Sequence, residues 1–220
     1  DKDHPKEWYR AAGQILVASA AVEDSVPDVA AADALGLARM TRADLNAALF
    51  NAAPQAIGVG GTSGKSTVTA MIAWILESAG REPTVMNGAV MRNFAGDDRP
   101  FASALIGGDA LYVSEVDESD GSIALYRPQV AVVTNISLDH KSVDELHQLF
   151  GDFAAKARIA VINADDPESA PLLTGDNIAR FGFSDAAGMR GSDYQALPDG
   201  CRFAVHFAVD QHEVRLRMAG

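Results

Sequence analysis

Apolar runs and helical spacings alternate along this chain. Residues 55–60 (QAIGVG), 84–87, 110–114 (ALYVS), 129–136 (QVAVVTNI), 158–163 (RIAVIN) and 178–183 are short β-type runs, and 14–20 (QILVASA) is another upstream. The run over 129–136 is apolar almost throughout instead of at alternate positions. Strands of that kind are buried on both faces, the habit of a parallel sheet. Segments of helical period lie between them. Pro27 opens an alanine-rich stretch that closes near Gly36, with proline in the first turn and glycine past the end. Residues 37–40 predict a short strand. Thr41 is placed as an N-cap with Asp44 three residues on, which predicts a helix to about Asn51. Residues 65–79 predict a helix closed by Gly80. Val143, Leu146, Leu149, Phe150 and Phe153 share one face of a helix over 143–156, and a short helix follows Asp166-Pro167. From Ser192 the pattern changes. CRFAVHFAV and HEVRLRM alternate in polarity and meet near Asp210-Gln211, predicting an antiparallel hairpin on the sheet edge.

Composition narrows the partners. The chain has 220 residues, room for one or two domains. No apolar run approaches the ~20 residues of a membrane span, and the amino-terminal DKDHPKEWYR has no apolar core of a secretory signal. A membrane partner is therefore not expected. Eighteen basic against thirty acidic side chains give −12 with no Lys/Arg-rich run, so nucleic acid is not expected either. Nucleotides stay open, because local backbone donors and a cation suffice to bind them. The single cysteine, Cys201, permits no internal disulfide and no Cys-based zinc site, in keeping with a cytoplasmic location. Oligomeric state is left open.

The most informative segment is GVGGTSGKST, residues 58–67. It follows a predicted strand and opens a predicted helix. Glycines let the backbone turn several N–H groups toward one point, and the helix N-terminus adds about half a positive charge there. Lys65 supplies a full charge for β- and γ-phosphates, and the Ser66 hydroxyl suits Mg²⁺. The match to GxxxxGK[ST] is incomplete, since Val59 stands at the first glycine position. A carboxylate at the end of a neighbouring parallel strand is well placed for the metal, and Glu115 follows ALYVS. Asp117, Glu118 and Asp120 read as solvated or structural. His4, His147, His206 and His212 read as structural, and Lys156 as a plain helix residue.

Gly61 to Thr67 (GTSGKST) resembles the GTxGK[ST][ST] loop of the Mur ligases. YVSEVDESDGS (112–122), PQVAVVTNISLDH (128–140) and VINADDPES (161–169) resemble further motifs of that family, in the same order. The resemblance implies that Gly61, Thr62, Ser63, Gly64, Lys65, Ser66 and Thr67 bind ATP with help from Asn135 and Asn163. It implies that Ser66, Glu115 and His140 hold Mg²⁺, and that Lys65, Glu115 and His140 are catalytic. Lys141-Ser142 departs from the acidic residue often found after that histidine. The E-x-D-E-S-D form points to the branch that joins L-alanine to UDP-N-acetylmuramate, or to the similar murein-tripeptide-recycling branch. The rivals are a folylpolyglutamate-synthetase-like enzyme, disfavoured by that motif and by the upstream βαβα segment, and a catalytically silent nucleotide-binding module.

The expected fold class is therefore α/β: a P-loop-type, mostly parallel sheet with helices on both faces and a carboxyl-terminal antiparallel hairpin. A partial Rossmann-like βαβα piece precedes it. Residues 1–53 are expected to be the end of a UDP-sugar-binding domain, and 54–220 the central ATP-binding domain. The family's upstream Gly-rich loop, its G-x-H-N motif and its third domain do not occur in the sequence, so a fragment is expected, and one inactive by itself.

Overall fold

The structure, a computed structural model, describes residues 13–97, 99–138 and 141–217. Its upstream portion is a small parallel pair, β1 (Ile15–Ala18) and β2 (Ala38–Thr41), bridged by α1 (Pro27–Ala34). Helix α2 (Arg42–Ala52) follows and starts as expected: Asp44 N–H donates to Thr41 Oγ1, and Thr41 N–H donates back to the Asp44 carboxylate, both at 3.0 Å. Thr41 O–H also donates to that carboxylate, at 2.6 Å, and this bond first, with the one from Thr41 N–H, holds the Asp44 carboxyl below its usual range.

All other strands among the described residues form one ten-stranded sheet. In chain order they are β3 (Gln55–Gly60), β4 (Thr84–Met86), β5 (Ala104–Leu105), β6 (Leu111–Glu115), β7 (Val130–Val133), β8 (Ile159–Asn163), β9 (Ile178–Gly182), β10 (Met189–Leu197), β11 (Gly200–Phe207) and β12 (Asp210–Leu216). Across the sheet the order is β12-β11-β10-β9-β8-β7-β3-β6-β4-β5. Pairing is parallel from β10 to β4 and antiparallel at both ends. Helix α3 (Lys65–Ser78) leaves β3 toward the β4 side, and α4 (Val143–Ala155) joins β7 to β8 on the other. The strand order therefore reverses around β3, where open α/β sheets open a crevice at their carboxyl edge.

Helices cover both faces, as expected of strands apolar on both sides. One core gathers Phe50, Phe150, Phe153 and Leu146 against Ala56, Tyr112, Ala131 and Ile162. The other sets Ala73 of α3 against Val85, Val113 and Ile57. Adjacent residues such as Tyr112 and Val113 fall in different cores, because side chains alternate across a strand.

Two parts of the sheet differ from the sequence-based reading. The antiparallel part is larger than a hairpin: β10 enters it, parallel to β9 and antiparallel to β11. Its sequence, MRGSDYQAL, has no apolar run, and its register shifts between Ser192 and Gln195. Such a strand owes its existence to its neighbours, not to its own pattern. The turn between β11 and β12 lies at Ala208 and Val209, just before the expected position.

Helix α2 is fastened to the large sheet by a half-buried amide. Asn46 Nδ2 donates to Ser114 Oγ at 3.0 Å and to Tyr126 Oη at 2.8 Å, while Tyr112 O–H donates to Asn46 Oδ1 at 2.9 Å. Ser114, Tyr112 and Tyr126 are all buried, and burial raises both tyrosine pKa values. Asn46→Ala is expected to cost about 2–3 kcal/mol in urea unfolding, because it strands several buried polar groups at once. A loss no larger than that of an exposed alanine substitution would show the amide to be incidental.

Candidate active site at the carboxyl edge of the sheet

The loop over 61–64 connects β3 to α3. Gly61 has φ 127° and Gly64 has φ 83°, both left-handed values that favour glycine. Gly64 is the N-cap of α3 and offers no side-chain cap. The N–H groups of Lys65, Ser66 and Thr67 thus have no intrahelical acceptor, and the positive end of the helix dipole lies with them. That is the makings of an anion cradle.

The loop is braced from behind by the end of β7. Thr62 N–H donates to the Asn135 carbonyl at 3.0 Å. Ser63 N–H donates to Asn135 Oδ1 at 3.1 Å, and Asn135 Nδ2 donates to the Ser63 carbonyl at 2.9 Å. Thr134 O–H donates to the same carbonyl at 2.7 Å. Asn163, at the end of β8, donates from Nδ2 to the Thr134 carbonyl at 3.0 Å and accepts from Asp165 N–H at 3.0 Å. Both asparagine amides are therefore engaged with backbone. Asn135 shapes the loop and Asn163 braces the strand end behind it, roles the sequence leaves as open as a ligand contact.

The next turn ties the strand ends together. Asp166 accepts from Ile136 N–H at 2.8 Å and from Ser169 O–H at 2.5 Å. Asp165 accepts from the N–H groups of Phe183 and Ser184. These bonds, chiefly the one from Phe183, pull its carboxyl below the ordinary range.

In front of the loop, Ser66 and Glu115 come together. Ser66 O–H donates to Glu115 Oε2 at 2.7 Å, and Gly88 N–H reaches the same oxygen at 2.7 Å. Asn87 Nδ2 donates to the Ser66 carbonyl at 3.2 Å, so the turn after β4 closes this side of the site. A hydroxyl and a carboxylate are hard oxygen donors and fit Mg²⁺, which commonly takes one or two protein ligands and completes its shell with phosphates and water. His140 lies outside the described residues. Among those described, no group of three or more His, Cys, Asp or Glu side chains is set to hold a metal.

Lys65 is not directed at open space. Its Nζ donates to the Gly61 carbonyl at 2.8 Å and to both oxygens of Glu118, at 3.0 and 3.2 Å. Glu118 is only 4% exposed. Of the two readings of the acidic run, solvated or structural, Glu118 takes the structural one. Asp117 and Asp120 do sit in exposed turns, accepting from Ser119 N–H and Ser122 N–H at 2.8 Å. Glu118 turns inward with the parity of Ser114 and Val116, both buried.

A loop and helix leaving the middle strand of a parallel sheet at its switch point, with lysine, hydroxyl and carboxylate gathered there, define the phosphate-binding α/β class of domain. The profile of the Mur ligase middle domain matches residues 59–220, and the chain belongs to the Mur ligase family, whose members are ATP-dependent ligases. A UDP-N-acetylmuramate–L-alanine ligase of Synechococcus sp. (strain JA-3-3Ab) is 38% identical over 185 residues, 82% of this chain and 34% of that protein. The ligase of the same name from Aquifex aeolicus is 32% identical over 203 residues, 88% of this chain and 43% of its own length. The chain thus spans between a third and a little under half of these relatives. The solved UDP-N-acetylmuramate-alanine ligase of Thermotoga maritima superposes with a TM-score of 0.78 at 23% identity, covering 94% of this chain and 47% of that one. The murein peptide ligase of Psychrobacter arcticus gives 0.78 at 21% identity, over 100% and 52%. At such identities the structural likeness shows the fold alone. No helix among the described residues is long and apolar enough to cross a membrane.

Proposed function

We propose that this chain is the nucleotide-binding part of an ATP-dependent ligase that joins L-alanine to the carboxyl group of UDP-N-acetylmuramate in the cytoplasm. The observation that carries the proposal is the gathering of Lys65, Ser66 and Glu115 in front of one glycine-rich loop. The relatives at 32–38% identity bear that ligase name, which selects the branch. Residues 54–220 would be the middle domain, and 1–53 the end of the sugar-nucleotide domain.

In this reading the loop N–H groups and Lys65 bind the β- and γ-phosphates. Asn135 holds the loop in shape, and Asn163 braces the end of β7 behind it. Ser66 and Glu115 would hold Mg²⁺, and His140 would hold a second ion. The bound ion supplies neutralisation of phosphate charge. Phosphoryl transfer is mostly positioning and charge compensation, and that is what these residues offer. The muramate carboxylate attacks the γ-phosphorus and ADP departs. The amine of L-alanine then attacks the acyl carbon of the resulting acyl phosphate; phosphate leaves, the nitrogen loses a proton, and an amide remains.

The second reading is a murein peptide ligase, which the E-x-D-E-S-D form of residues 115–120 also suits. It differs in the amine. The full-length protein would be given ATP, Mg²⁺ and UDP-N-acetylmuramate with either L-alanine or L-alanyl-γ-D-glutamyl-meso-diaminopimelate. Phosphate release and the mass of the UDP-linked product would be followed. Turnover with L-alanine is expected. Turnover with the tripeptide alone moves the assignment to the second reading, and turnover with neither refutes both.

A further inference from the structure

The buried carboxylate of Glu118 has no part in the roles above, yet it holds the residue on which they depend. Its side chain is 6% exposed and that of Lys65 16%, so the pair is poorly screened. A lysine ammonium carries three N–H donors. The Gly61 carbonyl and the two oxygens of Glu118 take all three, and the contact to Oε1, at 3.2 Å the longest, is the one a phosphate oxygen would replace while Oε2 keeps hold of Nζ. Were Lys65 to abandon Glu118 for a phosphate, a buried carboxylate would be left unpaired beside a polyanion, an arrangement proteins avoid. A lysine that keeps Glu118 while reaching forward escapes that cost. Its charge is then divided between the carboxylate behind it and the phosphate in front.

We propose that Glu118 is the positioning and affinity-setting partner of the loop lysine: it holds Nζ against the Gly61 carbonyl and offsets its charge, so that a nucleoside di- or triphosphate is bound loosely enough to leave after turnover. The inference rests on the reading of the loop as a phosphate site. Its sign follows from electrostatics. A carboxylate in contact with Nζ repels the phosphates across a short distance in a medium less polarisable than water.

Glu118→Gln tests this, because glutamine keeps the size and an oxygen acceptor for Lys65 and removes only the charge. Calorimetry on the full-length protein with Mg-ADP, and separately with Mg-tripolyphosphate, is expected to give a Kd about tenfold lower than wild type. Glu118→Asp retains the charge and is expected to stay within about threefold of wild type. Loss of a merely structural contact would weaken binding, not tighten it. Unchanged or weaker binding by a folded Glu118→Gln protein overturns the proposal. Should that variant fail to fold, Glu118→Met, which fills a similar volume without the charge, takes its place: it must bind tripolyphosphate more tightly than wild type, and equal or weaker binding overturns the proposal. A wild-type protein that binds neither probe refutes the phosphate-loop reading itself, whereas wild-type binding that is indifferent to Glu118→Gln refutes this inference alone.

Discussion

Lys65→Ala is expected to abolish measurable ATP binding by the full-length protein. Each charge-assisted contact between Nζ and a phosphate oxygen is worth about 1.5–3 kcal/mol. Contacts to both the β- and γ-phosphates would together amount to a loss of roughly two orders of magnitude or more in affinity. The substitution also leaves Glu118 buried and unpaired, with its charge facing the place the phosphates would take. Breaking a buried ion pair from one side costs about 3–5 kcal/mol of stability, so the melting temperature must be read alongside the calorimetry. A folded Lys65→Ala protein with wild-type ATP affinity would sink the assignment of the loop. The Lys65→Ala/Glu118→Gln double variant is expected to recover stability without recovering wild-type affinity, which separates the two effects.

Gly61→Ala is expected to be the most damaging single-methyl change in the site. Its φ of 127° is strained for any residue with a Cβ, at a cost of about 1–3 kcal/mol. The added carbon would also stand 2.1 Å from Thr134 Oγ1, 3.0 Å from Thr134 N and 3.1 Å from Asn135 N. Two of those neighbours are backbone and cannot swing away. The third is the hydroxyl that latches Ser63, so relief at Thr134 would undo the brace that shapes the loop. A loss of at least about 3 kcal/mol is expected, a large share of the ~5–15 kcal/mol that holds a typical domain. Gly64→Ala is the control. Its φ of 83° is also left-handed, but a Cβ there would meet nothing within 4 Å, and only the conformational cost of about 1–2 kcal/mol applies. Urea unfolding of the two variants decides the matter. Equal stability of Gly61→Ala and Gly64→Ala would show that the contact with Thr134 does not constrain the loop.

Local patterns carried much of this protein. The glycines of 60–64 followed by a helical run specify a strand, a tight turn and a helix from neighbouring residues alone. Thr41 with Asp44 announces the start of α2, and the structure contains that reciprocal cap. Continuous apolar strands imply burial on both faces, and the two cores on opposite sides of the sheet follow from it. Because the carboxyl ends of parallel strands lie on one edge, the sequence also implied that Ser66 and Glu115 would be neighbours.

What tertiary structure alone decided depends on pairings between distant residues. Lys65 meets Glu118 across 53 positions, and Ser63 meets Asn135 across 72. No local rule distinguishes Glu118 from Asp117 or Asp120 in the same acidic run; the difference is which side chain faces inward once β6 is seated beside β3. Asn135 and Asn163 show the same limit, since an asparagine at a strand end suits a ligand or a backbone brace equally until the loop it touches is in place. Strand β10 and the docking of α2 through Asn46 arise likewise from partners far along the chain. Short-range propensity and hydrophobic period are properties of a segment, so the sequence determines them directly. Hydrogen-bond and charge complementarity belong to pairs of segments, and exist only after the sheet order has brought those segments together.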